Sequence, residues 1–280
     1  MNRIFRWVLV LGGTIAIIYA AGFFLQADWA TIIWPVRSTR LSNIFISSIL
    51  AAIGTPIIWI GLANEARAMF GGALNLLVTN AGFVAAAFTY YSRSPQPLLL
   101  IFGVISCLIF IACIGLVTYS RRKPFLDTMR VPALVRISFI VFAVTLLLTS
   151  IALLARRPNI FPWALSAENS VMYGAIFLGA MWYFLYGIAY PVWSNARGQM
   201  IGFLAYDLVL IVPFLVHFQD VRPEMLTSLI VYTAVVSYSG LLAAYFLFIN
   251  PASRFSFARK ASQSQEEYEK QTTDESSSQS

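Results

Sequence analysis

Eight apolar stretches, at 5–25, 44–62, 70–91, 98–119, 133–155, 171–190, 200–218 and 226–249, follow one another along almost the whole chain. At a rise of about 1.5 Å per residue, each can cross a hydrocarbon core of roughly 30 Å as a helix. Of 280 residues, 59% are hydrophobic and 11% charged, a balance that a water-soluble globular domain does not carry. The sequence therefore predicts an all-α fold, a polytopic transmembrane bundle of about eight helices over residues 1–251. The connections are too short for a soluble domain, so any activity belongs to the bundle.

The formal net charge of +7 does not point to a nucleic-acid partner, because Lys and Arg are scattered among short loops rather than gathered on one face. Membrane topology accounts for them better. With a cytoplasmic N-terminus, thirteen fall on the inner side and six on the outer side: Arg37, Arg40, Arg93, Arg156, Arg157 and Arg222. Positive residues accumulate on the cytoplasmic side, which puts both termini there. The first stretch follows Arg3 and Arg6 but exceeds the roughly 7–15-residue core of a signal peptide, so it reads as a retained helix. From Ala252 the chain turns to Ser, Gln, Glu and Lys, which cannot bury enough apolar surface to fold, and a disordered cytoplasmic tail is expected over 252–280.

Asp207 is the acid placed deepest in any apolar stretch. A carboxylate there costs roughly 2.5–3.5 kcal/mol on insertion scales and calls for a partner, a cavity or a proton. With its helix starting at Met200, Asp207 is expected in the cytoplasmic half, together with Glu65, Asn75 and Asn80. Arg136 near the same interface supplies the competing explanation, an intramembrane ion pair that only fixes packing. Glu65 beside Arg67 also has a bland reading as a solvated surface pair. Tyr183, Tyr186 and Tyr190 stand at i, i+3 and i+7, one face of a helix rich in aromatics that also carries Trp182. Such a stripe is either interhelical packing or the wall of a cavity whose π faces stabilise a cation.

Several chemistries lack their residues. His217 has no Cys or His partner, and Cys107 and Cys113 fall on different faces of one helix, so no metal site is expected. There is no glycine-rich phosphate loop, nucleophile elbow or HExxH spacing, and no cofactor is expected.

The acid after the second stretch, in Leu62-Ala63-Asn64-Glu65-Ala66-Arg67, and the acid Asp207 in the penultimate one resemble the layout of the small integral-membrane terpene cyclases of fungal meroterpenoid pathways. The resemblance spans the hydropathy profile and rests on these two polar positions. It implies a cofactor-independent isomerase or lyase of secondary-metabolite biosynthesis, in the endoplasmic reticulum or another endomembrane, acting on a lipophilic, prenylated or epoxidised substrate delivered by the bilayer. Asp207 would be the general acid and Glu65 its assistant or the final base. Asn75 and Asn80 would orient polar groups, with Trp182, Tyr183, Tyr186 and Tyr190 lining the pocket. A small transporter or receptor-like bundle with a titratable Asp207 is the alternative.

Overall fold

The apolar stretches do form helices. A computed structural model describes residues 1–255. It places helices at Arg3–Phe24 (α1), Asp28–Thr31 (α2), Arg40–Ala63 (α3), Met69–Arg93 (α4), Pro97–Ser120 (α5), Ala133–Leu154 (α6), Ala167–Ala189 (α7), Trp193–His217 (α8) and Pro223–Ala244 (α9). Eight of them are long and apolar enough to cross a membrane; α2 is a single short turn. Side-chain caps mark the starts of α3 and α7: Thr39 accepts from the amide of Ser42 at 3.3 Å, and Ser166 from that of Asn169 at 3.1 Å.

Consecutive long helices run in opposite directions, which gives the bundle two ends. One carries the loops 64–68 and 121–132 and the α7–α8 junction, and is called the Glu65 face below. The other carries the loops 25–39, 94–96, 155–166 and 218–222. Small residues let the helices close. A Cβ on Gly13 would lie 2.7 Å from the Gly54 carbonyl, and one on Gly54 2.8 Å from the Gly13 carbonyl, so α1 and α3 cross backbone to backbone. Gly179 plays the same part for α7 against α4, where any side chain would strike Thr79 and the Asn75 backbone.

The principal core lies toward the end opposite Glu65, where Phe45, Phe161, Tyr173, Phe177 and Phe214 are buried together. Its indole N–H groups are satisfied: Trp163 Nε1 donates to Ser42 Oγ and Trp34 Nε1 to Asn169 Oδ1, both at 2.9 Å.

A second compact unit begins at Ala244. Its described part is a π-helical turn, Tyr245–Ile249, followed by a reversal in which Ser253 Oγ donates to the Phe246 carbonyl at 2.7 Å and the Phe255 amide to that of Leu247 at 2.9 Å. The first residues of the expected tail thus fold back on that turn, and the rest of it, from residue 256, lies outside the described residues.

Candidate functional site

Helix α8 begins at Trp193, seven residues before the expected Met200. The polar run Ser194, Asn195, Arg197 and Gln199 hides this first part from hydropathy while leaving it fully helical. The earlier start moves Asp207. It stands fourteen residues after Trp193 and ten before His217, about 21 Å and 15 Å along the axis. The expected position in the half nearer Glu65 is corrected: Asp207 lies just beyond the middle of its helix, away from that face.

Asp207 is buried, and neither carboxylate oxygen has a hydrogen-bond partner. Gly240 of α9 packs against it; a Cβ there would lie 3.2 Å from Asp207 Cβ and 3.4 Å from Oδ2. The Ser239 hydroxyl lies beside the carboxyl but donates to the Val235 carbonyl at 2.8 Å. Tyr206, in electrostatic reach of both Asp207 and Tyr232, sets its ring 6.2 Å from that of Phe45. Arg136 is exposed at the start of α6 and forms no ion pair with Asp207 among the described residues. The packing pair is therefore corrected: Asp207 has no salt-bridge partner among them.

Glu65 and Arg67 occupy the α3–α4 loop, and both are buried, so the solvated surface pair is corrected too. They also face different partners. Glu65 Oε1 accepts from the Leu126 amide at 3.3 Å, within the electrostatic reach of Asp127 and Arg197, which pair with each other at 3.5 Å. Burial holds the Glu65 carboxyl above the usual glutamate range, against the lowering effect of that amide. Arg67 Nη1 donates to the Ser120 carbonyl at 3.3 Å, and its guanidinium is ringed by Phe70, Phe125, Tyr186 and Tyr190 at 5.1 to 6.0 Å. From Glu65 to the level of Asp207 is roughly 20 Å of helix, so the two acids do not share a site.

The aromatic stripe does gather around a cation, and that cation is the chain's own Arg67. Tyr186 stacks on Phe70 with centroids 4.5 Å apart, and Tyr190 lies 4.9 Å from Tyr186. Tyr183 presses on Gly71 and Gly198. Trp182 departs from the expected wall: at 42% exposed it faces outward from the bundle. Asn75 Oδ1 accepts from the Thr79 hydroxyl at 3.2 Å and Asn80 Nδ2 donates to the Leu76 carbonyl at 2.7 Å, so both are engaged within α4.

The sequence reading missed Phe125, Asp127 and Arg197. The loop 121–132 crosses the α7–α8 junction as a strap, with the Val131 amide donating to the Pro191 carbonyl at 3.0 Å and the Trp193 amide to that of Met129 at 2.7 Å. That crossing brings Phe125 to Arg67 and Asp127 to Glu65, while α8 supplies Arg197, and nothing local in the sequence marks it. His217 lies at the opposite end and donates from Nε2 to the Pro162 carbonyl at 2.8 Å.

Surface cavities include one of about 320 Å³ beside Arg3, Arg6 and Trp7 and one of about 340 Å³ beside Arg156, Arg157 and Trp163. Neither is lined by Asp207 or Glu65. Comparison with family models, with curated proteins and with solved structures returns no match to this chain. The fold itself, eight helices able to cross a bilayer, marks a multi-pass integral membrane protein.

Proposed function

We propose that the chain is a membrane enzyme of the terpene-cyclase type, in which Asp207 protonates a lipophilic prenylated or epoxidised substrate and starts its cyclisation. The observation that carries this reading is the Asp207 carboxyl itself, buried near the middle of α8 with no partner on either oxygen. A residue so placed is costly to keep unless a proton or a ligand uses it. The acid proton passes to the epoxide oxygen or terminal alkene, the carbocation that follows closes the ring, and a proton from an adjacent carbon returns to the Asp207 carboxylate. The process is a net isomerisation. The Tyr206 ring, next to Asp207 in the chain, offers a π face to the transient cation. Neither of these cavities is lined by Asp207, and Gly240 packs closely against its carboxyl, so in this reading α8 and α9 part to admit the substrate from the bilayer. Glu65 has no part in the proton transfer, being engaged about 20 Å away.

The test is conversion of an epoxidised prenyl substrate by membranes containing the parent chain or Asp207→Asn. Cyclised product from the parent and none from the variant supports the reading; equal product from both removes it. A second reading, a transporter or receptor-like bundle, is favoured by the mid-helix place of Asp207 and by the unpartnered hydroxyls of Tyr232 and Thr233 on α9. Gradient-driven proton flux into proteoliposomes that Asp207→Asn abolishes, with no product from prenyl substrates, would install it instead.

A further inference from the structure

Arg67 is nine-tenths buried and has no carboxylate partner among the described residues. The nearby acids are otherwise engaged. Asp127 pairs with Arg197, and Glu65 is turned to the Leu126 amide. The guanidinium gives one hydrogen bond, to the Ser120 carbonyl at the end of α5, out of the five its donors allow. Four rings crowd around it, and the Tyr186 hydroxyl lies beside it beyond hydrogen-bonding geometry. Stacked rings satisfy the faces of a guanidinium but not its N–H edge, and that planar edge matches two oxygens of a phosphate.

The surroundings of the cage favour an amphiphile. Tyr190 is 45% exposed and Leu126 of the strap 62% exposed, so apolar surface lies at the Glu65 face close to the cage, among the charged residues of the strap. Lys123 lies over the Tyr119 ring at 4.7 Å and adds positive charge on the same strap. We infer that Arg67, with Tyr190 and Tyr186 around it, is a binding site for a phosphate monoester, seated as the headgroup of a lipid whose tail lies along the apolar surface beside Leu126. This site is independent of the chemistry at Asp207.

The experiment uses the full chain in phosphatidylcholine nanodiscs with and without phosphatidic acid, reading retained lipid by native mass spectrometry and melting temperature by light scattering. The parent is expected to retain phosphatidic acid over phosphatidylcholine and to melt higher with it. Arg67→Gln is expected to lower retention about tenfold, equivalent to about 1.4 kcal/mol, while the exposed Arg130→Gln leaves it unchanged. If Arg67→Gln does not fold, Tyr190→Phe, which keeps the ring and deletes the exposed hydroxyl, is expected to reduce retention by a smaller factor. Inorganic phosphate that displaces the lipid from the parent, and binds in an Arg67-dependent way without it, assigns the same site to free phosphate. A parent with no preference between the two lipids, or equal retention in parent, Arg67→Gln and Tyr190→Phe, overturns the proposal.

Discussion

Asp207 and Glu65 are each 4% exposed, yet the molecule holds them in opposite ways. Glu65 sits in a dense polar cluster, with a backbone amide on its carboxyl and the Asp127–Arg197 pair nearby. Asp207 sits near the middle of α8 with Gly240 against it and no donor on either oxygen. The first arrangement is what a structural carboxyl needs, since its hydrogen bond offsets desolvation. The second leaves the desolvation uncompensated and is what a residue kept for a ligand or a proton looks like. Burial alone does not separate the two; the count of partners does.

The largest stability effect is expected on the clustered side. Arg67→Ala removes a cation from four rings and from the end of α5, and should lower stability by about 2–4 kcal/mol, read as a drop in melting temperature in detergent. A loss below about 0.5 kcal/mol would mean that the cage does not hold the face together. Next comes a pair of glycines. Gly71→Ala would drive a Cβ to within 2.8 Å of Tyr183 and 3.0 Å of Tyr186, and should cost about 1–3 kcal/mol. Gly240→Ala meets the Asp207 Cβ at 3.2 Å and Oδ2 at 3.4 Å, looser contacts than those at Gly71, and should cost less. The reverse order would show that Asp207 is the more tightly fixed residue.

Titration of stability gives a smaller effect. The Glu65 carboxyl is held above its ordinary range by burial, so the folded chain binds this proton more tightly than the unfolded chain does. Its contribution is full below the ordinary glutamate range and is lost as pH rises through the folded value. The melting temperature of the parent relative to Glu65→Gln should therefore fall over that window, and a difference that rises with pH would contradict the burial argument. Asp207→Asn, with no partner to lose, should melt within about 1 kcal/mol of the parent. Smallest of all, Trp182→Ala on the outward face should change stability by no more than about 0.5 kcal/mol.

Much of the fold was legible because apolar length is a local signal. The stretch expected at 133–155 is the helix Ala133–Leu154, and that at 98–119 is Pro97–Ser120. The failures share a cause. The start of α8 carries Ser194, Asn195, Arg197 and Gln199, whose side chains meet protein rather than lipid, so hydropathy misplaced it and with it the depth of Asp207. Glu65 and Arg67 stand two residues apart but point into different surroundings, which spacing along the chain cannot express. The cation within the tyrosine stripe was expected from a substrate, whereas the loop after α3 supplies Arg67 and the 121–132 strap adds Phe125. Such convergence of distant loops leaves no periodic trace in a sequence.

The contrast between the two acids is tested most directly by turnover of an epoxidised prenyl substrate in membranes carrying the parent, Asp207→Asn or Glu65→Gln at matched amounts of folded protein. A general acid contributes about 100-fold or more, so Asp207→Asn should lose at least that factor while Glu65→Gln stays close to the parent. Near-parental turnover by Asp207→Asn, or an equal loss in Glu65→Gln, would contradict the assignment of the proton to Asp207.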